Sequence, residues 1–331
     1  MAEQRQKRRE GESDKTRGGL RRQWRRPTVR AIPTVRIIDA HVHLYPPEVG
    51  RDPAAWAAAQ GEPHWAALCT RRRRDGRPVQ TFPTVTELLR DMDAAGVEKS
   101  ILLGWYWQRA ETAAWQNRFY AQCVREHPDR LGAFATIHPS AGEAGVAAEL
   151  RRARAEGLCG LGELSPHAQG WAIDDPVLAS ALALAGELGM PVNLHAADPQ
   201  AGRYPGRIET PPDDFVRLAR GHPKITFILA HWGGGLLFRE ASPAARPDLA
   251  NVVYDTAASP LCYDDRIWRA ALDVVAPAKV LFGSDYPLIQ YPKRESAPGW
   301  QNLLAEVTAA GLTPGKSGPL LAGNAARLLG L

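Results

Sequence analysis

Residues that can bind metal ions stand at the ends of several apolar, strand-like runs of this sequence. The runs and the residues that close them are 35–40 with His41 and His43, 191–194 with His195, 225–230 with His231, and 280–284 with Asp285. Residues i and i+2 of a strand point to the same face, so His41 and His43 can reach one ion together. Imidazole nitrogens and carboxylate oxygens are common ligands of zinc-like ions. If the runs belong to one closed barrel, their ends meet at one mouth, which predicts a divalent-metal site for chemistry on a small molecule.

The elements that would position these residues alternate between strand and helix. The strand-like runs are 35–41, 99–104, 132–137, 158–164, 191–196, 225–231, 250–255 and 279–284, and the helical patterns are 84–95, 111–126, 143–156, 175–189, 211–220 and 263–275. Most of the strand-like runs are continuously apolar, as in a parallel sheet that helices cover. Thr84 and Glu87 have the spacing of a capping box at a helix start. The pattern predicts an α/β fold, a single (β/α)8 TIM-barrel domain over residues 34–331.

Two long segments after predicted strands are expected to be βα loops at the catalytic face. Segment 44–83 follows the first strand and contains two tryptophans, and segment 197–210 follows His195. Long loops at this face usually form a lid or a pocket wall. Within the first of them, the basic run 71–74 precedes Asp75-Gly76, and we expect it to form an exposed hairpin tip.

The charge of the chain is concentrated at its start. The formal net charge of the 331 residues is +5, and residues 1–30 alone hold 11 Lys or Arg against 4 Asp or Glu. We therefore predict that residues 1–33 are a basic, disordered tail and that the barrel domain does not bind nucleic acid.

Other features of the sequence lead us to expect a cytoplasmic protein. No apolar run reaches the roughly 18 residues that a membrane helix needs, and no apolar segment follows the early arginines as in an export signal. None of the four cysteines forms a C-x-x-C pair, so reduced thiols are expected.

Several motifs together resemble the amidohydrolase superfamily. They are DAHVH at 39–43, NLH at 193–195, LAHWGG at 229–234, FGSDYP at 282–287 and NAARLL at 324–329. The resemblance covers about residues 34–331. The most similar branch is the amidohydrolase-related group, which includes lactone hydrolases and aminocarboxymuconate-semialdehyde and resorcylate decarboxylases.

The resemblance implies a ligand set and leaves the number of ions open. It makes His41, His43, His195 and Asp285 metal ligands, with zinc as the expected ion and manganese as an alternative. It implies that His231 either ligates a second ion or acts on the bound water or the substrate. At the position of Glu163, binuclear relatives carry a bridging group; otherwise we expect a rim carboxylate paired with Arg203 or Arg207. Relatives also suggest a homodimer.

The expected mechanism starts from a metal-activated water. An ion lowers the pKa of its water from about 16 to about 7, so that hydroxide attacks a lactone, ester or amide carbonyl. Asp285 would move the proton to the leaving group, His231 would stabilise the oxyanion, and Asp39 would support the His-x-His pair. A decarboxylase of an aromatic or unsaturated carboxylate and a non-catalytic barrel are the alternatives.

Substrate contacts are predicted from residues that follow other strands. Trp105 and Trp107 follow the second strand, and aromatic side chains commonly wall such mouths. His167 follows Glu163 in a loop and is a candidate substrate contact. His138 ends the third strand and is expected to have a structural role.

Overall fold

Eight parallel strands form one sheet in residues 35–331, which are the part of the chain that the computed structural model describes. The strands are β1 Ile38–Val42, β2 Lys99–Leu102, β3 Leu131–Ala135, β4 Gly160–Leu164, β5 Val192–Leu194, β6 Phe227–Leu229, β7 Val252–Asp255 and β8 Val280–Leu281. Each lies within or at the edge of one predicted run and pairs in parallel with the next along the chain. The predicted (β/α)8 barrel is therefore confirmed. The predicted tail at 1–33 lies outside the described residues.

Backbone hydrogen bonds between β1 and the segment after β8 bring the two edges of the sheet together. Ala40 N donates to Phe282 O at 2.8 Å, Asp285 N donates to His41 O at 2.9 Å, and His43 N donates to Tyr286 O at 2.7 Å. These bonds set the His-x-His pair directly beside the aspartate that follows β8.

Helices surround the strands and fill the connections between them. The α-helices are α1 Pro47–Arg51, α2 Pro53–Gln60, α3 Pro63–Cys69, α4 Val85–Ala95, α5 Ala110–Glu126, α6 Gly142–Ala155, α7 Pro166–Gln169, α8 Pro176–Glu187, α9 Pro212–Gly221, α10 Ser259–Cys262, α11 Ile267–Val274, α12 Gln301–Ala309, α13 Pro314–Gly318 and α14 Asn324–Leu329. Short 3-10 segments lie at Pro139–Ala141, His231–Ala241, Arg246–Leu249 and Pro277–Lys279, and a π-helical turn lies at Pro319–Gly323. Both bonds of the predicted capping box at Thr84 and Glu87 are present. No helix among residues 35–331 is long and apolar enough to cross a membrane.

Two apolar clusters hold the barrel together. The larger one joins the strands to the helices around them. The smaller one joins alternate residues of β1 and β2, including Ile38 and Ile101, to Ala325 of α14. This second cluster packs the barrel interior against the C-terminal helix and so leaves the other end of the barrel for polar groups.

The segment between β1 and α4, residues 43–84, forms an insertion that is attached to the loop after β8. It contains α1, α2 and α3 and then a hairpin in which Arg72 bridges to Pro78. The hairpin continues into an antiparallel bridge between Gln80 and Leu288, and Ile289 N donates to Val79 O at 2.9 Å. The insertion is thus connected both to the first strand of the barrel, which it follows, and to the segment after the last strand.

Candidate metal centre

Six side chains of the predicted types converge at the carboxyl ends of the strands. They form what we call the ligand cluster: His41, His43, Glu163, His195, His231 and Asp285. Their ligand atoms fall into two groups of three. The first group is His41, His43 and Asp285, and the second is Glu163, His195 and His231, with the ligand atoms of each group within 4.8 Å of one another.

The His-x-His pair presents two lone pairs to one point. His43 Nδ1 lies 3.1 Å from the carbonyl oxygen of Leu103 and must donate a proton to it. His41 Nδ1 lies 2.9 Å from the carboxylate of Asp255 and likewise donates. In the neutral rings both Nε2 atoms are then bare acceptors, and they face each other at 3.2 Å.

That separation is the one expected of two ligands on a single ion. Nitrogens about 2.0–2.1 Å from one tetrahedral ion lie about 3.3 Å apart. Asp285 Oδ1 completes the group at 3.4 Å from His43 Nε2 and 3.8 Å from His41 Nε2. Without a proton or a cation between them, facing acceptors repel, so this donor set fits a divalent cation.

The second group repeats this arrangement around His231. His231 Nδ1 lies 3.0 Å from the carbonyl oxygen of Ala257, which leaves its Nε2 as the free acceptor. That Nε2 faces His195 Nδ1 at 3.2 Å. His195 Nδ1 in turn lies 2.8 Å from Glu163 Oε1.

Glu163 stands between the two groups, with one oxygen toward each. Its Oε2 lies 3.6 Å from His43 Nε2 and 3.8 Å from His41 Nε2, while its Oε1 lies 3.6 Å from His231 Nε2. No arginine among residues 35–331 pairs with this carboxylate, so the expected alternative of a rim pair with Arg203 or Arg207 is wrong.

The backbone of β4 is shaped to place Glu163 there. The ladder to β5 shifts register between Leu161 and Leu164. Gly162 has φ +126, and a Cβ on it would lie 2.3 Å from Asn193 O, so only glycine fits. This local irregularity carries the carboxylate into the barrel mouth.

Left-handed backbone conformations are concentrated around the same mouth. Among the described residues, the non-glycine positions with positive φ are His231, Trp232, Ala258 and Asp285. Two of these carry ligand atoms, and Ala258 lines the adjoining cavity. Such conformations cost on the order of 1–3 kcal/mol each and cluster at functional sites.

The carboxylates give the mouth a strongly negative field. Burial opposes protonation of His41, but the charge of Asp255, its hydrogen bond and the charges of Glu163 and Asp285 raise its pKa to about 10. Burial likewise opposes protonation of His231, yet Glu163 and Asp285 raise its pKa to about 9. Burial raises the pKa of Glu163, but the neighbouring histidines hold it well below its usual range. A field that favours positive charge this strongly is the field that binds a dication.

Asp255 supports the cluster from behind and was missed in the sequence. Its Oδ2 accepts from His41 Nδ1 at 2.9 Å and from Asn193 Nδ2 at 3.0 Å. Its Oδ1 accepts from the backbone N–H groups of His231 and Ala257. The sequence does carry a signal for this residue, because Asp255 ends an apolar, strand-like run just as the predicted ligands do.

Asp39 has a different place from the one expected. Its Oδ1 accepts from the backbone N–H groups of His41 and Ser284, both at 3.0 Å, and Oδ2 accepts from the indole of Trp300 at 2.5 Å. Burial raises its pKa to about 6. It therefore fixes the main chain of β1 against the segment after β8 and does not touch the imidazole rings.

A cavity of about 320 Å³ opens from the ligand cluster toward the loops. His43, Glu163, His195, His231 and Asp285 line its inner end, and Trp105 and Tyr106 form one side.

The other predicted substrate contacts do not reach this cavity. Trp107 is fully buried in an aromatic cluster with Trp65 and donates from Nε1 to Gln116. His167 Nε2 lies 2.8 Å from the carboxylate of Asp214, and the residue is not among those that line the cavity. His138, predicted as structural, contacts Ser140 and caps the following 3-10 turn.

The arginines of the hairpin alternate in direction. Arg71 and Arg73 are half-buried and line the cavity, while Arg72 and Arg74 are exposed. The expectation of an exposed hairpin tip is therefore wrong for Arg71 and Arg73. Side chains of a strand alternate between its two faces, which explains why every second arginine is turned inward.

A parallel eight-stranded barrel with a His, Glu and Asp cluster at its mouth defines the class of metal-dependent barrel enzymes. The chain belongs to the amidohydrolase family Amidohydro_2, whose model matches residues 38–331. No curated protein matches the chain in sequence.

Solved structures with the same fold include enzymes of two reaction types. The 5-carboxyvanillate decarboxylase LigW of Sphingomonas paucimobilis is 19% identical, with a TM-score of 0.69 over 90% of this chain and 99% of its own. A manganese-bound 5-carboxyvanillate decarboxylase of Novosphingobium aromaticivorans is 16% identical, with a TM-score of 0.67 over 89% and 97%. A probable 2-pyrone-4,6-dicarboxylic acid hydrolase of Acinetobacter baumannii is 15% identical, with a TM-score of 0.58 over 89% and 99%.

Proposed function

We propose that this protein is a metal-dependent hydrolase that opens a lactone, ester or amide of a small molecule. The observation that carries the proposal is the position of Glu163, which offers one oxygen to each of two groups of ligand atoms. A carboxylate shared in this way suits a centre that holds up to two ions, a common arrangement in hydrolases.

Each residue of the ligand cluster has a role in this proposal. His41, His43 and Asp285 would hold one ion, and His195 and His231 would hold a second, with Glu163 between the two groups. A divalent ion supplies Lewis-acid polarisation of a carbonyl oxygen and acidifies water.

Asp285 is placed to move protons. Its side chain is 14% exposed and lines the cavity, so its free carboxylate oxygen can take a proton from water and return it to the leaving group. The ring of His231 lines the same cavity as Asp285, so its Nε2 is within the part of the site where a substrate oxygen would be held. A positioned proton donor or acceptor of this kind contributes about 10²–10⁴-fold to the rate.

Decarboxylation is the second candidate. The group of His41, His43 and Asp285 is by itself enough to hold one ion. Two of the similar barrels described above are decarboxylases of an aromatic acid, one of them with manganese. In this case the ion would bind a substrate oxygen, and Asp285 or His231 would protonate the ring carbon that loses CO₂.

Of two measurements, the first tests both candidates and the second separates them. Metal analysis of the purified protein is expected to find between one and two Zn or Mn ions per chain, and a metal-free, active protein would contradict both. A panel of lactones, esters and amides is then compared with a panel of aromatic carboxylic acids. Hydrolysis without release of CO₂ supports the proposal, and release of CO₂ without hydrolysis selects the decarboxylase.

A further inference from the structure

The segment after β2 brings one tyrosine to the cavity with its hydroxyl unused. Tyr106 is only 3% exposed and lines the cavity together with His195. Its hydroxyl makes no hydrogen bond within residues 35–331, yet it is not completely enclosed, as the hydroxyls of Ser100 and Ser165 are. The hydroxyl of Tyr106 therefore keeps surface that a molecule in the cavity can reach.

The other buried tyrosines of residues 35–331 each have a partner for this group. Their hydroxyls contact a thiol, a backbone carbonyl and two carboxylates, in the order Tyr45, Tyr120, Tyr254 and Tyr286. Buried hydroxyl groups in proteins are ordinarily satisfied in this way. A free hydroxyl on the cavity surface, next to the ligand cluster, therefore indicates a partner that is not part of the chain.

Aromatic contacts fix the direction of the Tyr106 ring. The ring stacks on Trp105 with the centroids 4.4 Å apart, and it contacts the rings of His195 at 5.2 Å and His64 at 5.7 Å. The backbone of the segment is held as well, because Trp105 N donates to Gln116 Oε1 at 2.8 Å. The hydroxyl thus has a defined place near His195 before any substrate arrives.

The contact with His195 lies on an open side of the ligand cluster. Each of the other three histidines uses one ring nitrogen for a hydrogen bond to the protein behind it. His195 directs its Nδ1 to Glu163 Oε1 at 2.8 Å, and its Nε2 has no hydrogen-bond partner within residues 35–331. Its side chain is 14% exposed. Tyr106 and His195 therefore border a part of the cavity that the protein leaves for a ligand.

We propose that Tyr106 is a specificity-determining residue, whose hydroxyl donates a hydrogen bond to an uncharged oxygen of the substrate that is separate from the reacting carbonyl. This inference rests on the metal centre of the proposed function, because the ligand cluster would hold the reacting end of the same molecule. A phenol, with an ordinary pKa of about 10, is a neutral donor at neutral pH. One neutral O–H group suits a carbonyl, ether or hydroxyl oxygen, whereas anionic oxygens form their stronger bonds with charged donors.

The test uses probes that chelate a divalent ion and differ in one further group. Benzohydroxamate is compared with its 3- and 4-acetyl derivatives and with its 3- and 4-isopropenyl derivatives, in which CH₂ replaces the carbonyl oxygen. Each is titrated by calorimetry into protein whose Mn²⁺ content has been measured. We expect at least one acetyl isomer to bind about 3- to 10-fold more tightly than its isopropenyl counterpart. Equal affinities within both pairs would overturn the inference.

Two variants then locate the preference. Tyr106→Phe removes the hydroxyl and keeps the ring, so the acetyl preference should fall to within about twofold while the Mn²⁺ content stays the same. Tyr204→Phe is the matched control, because Tyr204 also lines the cavity and its hydroxyl makes no hydrogen bond within residues 35–331. This control should keep the full preference. A preference that survives in Tyr106→Phe would overturn the assignment, and so would a loss of Mn²⁺ in that variant.

One further pair of probes tests the kind of oxygen. If 3- or 4-carboxybenzohydroxamate loses affinity in Tyr106→Phe and the acetyl probes do not, the partner is anionic and the assignment to an uncharged oxygen is wrong. Benzohydroxamate itself reports on the ion, so its failure to bind would overturn the metal centre and this inference together. Because every arm measures binding, release of CO₂ in place of hydrolysis would count against the proposed function alone.

Discussion

The ligand cluster and the hairpin wall, by which we mean Arg71, Arg73 and Gln80, lie at one cavity, but only the wall leaves buried side-chain nitrogens without a hydrogen-bond acceptor among residues 35–331. In the ligand cluster, His41, His43 and His231 are each fixed by a hydrogen bond at the ring nitrogen that faces away from the centre. On the wall, Arg73 Nε and Gln80 Nε2 have no acceptor at all within residues 35–331. The first region is organised by the barrel before any ligand arrives. The second has buried donors that the described residues leave without an acceptor.

The supporting elements explain this difference. The ligand residues sit at or just after strand ends, where neighbouring strands fix the backbone on both sides. Arg71, Arg73 and Gln80 instead sit on or beside a hairpin with one bridge of its own, at Arg72 and Pro78. We therefore expect changes in the ligand cluster to abolish the chemistry and changes in the insertion to alter affinity or stability.

Removal of the His-x-His pair should have the largest effect. His41→Ala with His43→Ala takes two of three ligand atoms from the first group, and we expect activity to fall by about 10³-fold or more. Metal content should fall with it, while the circular dichroism spectrum should persist because the barrel does not depend on these rings for its core. Retention of full metal content would break the assignment of this pair.

Asp255→Asn should have the next largest effect, although the residue does not contact the proposed ion. The amide cannot hold the proton of His41 Nδ1 as a carboxylate does, so the tautomer that leaves Nε2 free is less favoured. Loss of such support typically costs about 10–100-fold in metal affinity. A competition assay with a chelator measures this, and Asn193→Ala, which removes another partner of Asp255, should cause a smaller loss. Unchanged affinity in Asp255→Asn would mean that the rings are fixed by packing alone.

The buried carboxylate of Glu62 should make the stability of the protein depend on pH, and this effect belongs to the insertion. Its carboxylate is buried and accepts from Gln108 N at 2.8 Å, but its Oε1 has no partner. Burial raises its pKa to about 7 from the usual 4.5, so the folded state disfavours the charged form. This penalty is absent below about pH 4.5 and complete above about pH 7, and stability from this group falls as pH rises between them.

The matching variant is Glu62→Gln, which keeps an acceptor without the charge. We expect it to be more stable than the unmodified protein by about 2 kcal/mol at pH 8, with a much smaller difference at pH 5. Urea unfolding at both pH values measures this. Metal content should be the same in both proteins, and a loss of metal would show that the two regions are not separable.

Thr84→Ala should give the smallest effect and belongs to neither region. It removes the capping box of α4 and should cost about 1 kcal/mol of stability. Metal content and probe affinity should stay unchanged, so the variant shows how much of any other effect comes from lost stability alone.

The sequence predicts the strand-end region better than the wall. A continuous apolar run that ends in His or Asp predicts both a buried strand and a polar side chain at the barrel mouth. His195 and Asp285 can therefore be predicted from the sequence. Glu163 also lies within such a run, but its orientation depends on the register shift at Gly162, which the run does not show.

Loop residues lack a comparable signal. Trp105 and Trp107 are two apart in a segment without regular structure, and only the first lines the cavity. Arg71 and Arg73 have the period of a strand, but four consecutive arginines give no contrast from which the inward face could be read. Their direction is set by contacts with Leu68 and Ile289, the second of them 216 positions away along the chain.

The attachment of the insertion to the loop after β8 has a consequence for redesigning specificity. Gln80 bridges to Leu288, and Val79 accepts from Ile289, so the hairpin and the loop after β8 form one structural unit made of two distant stretches of sequence. Grafting residues 44–84 alone into another barrel of this family would leave the hairpin without its partner segment. A transplant that also carries residues 286–290 would move the hairpin together with that segment. Because it includes neither His43 nor Asp285, it would exchange one wall of the cavity while leaving the host's own ligand residues in place.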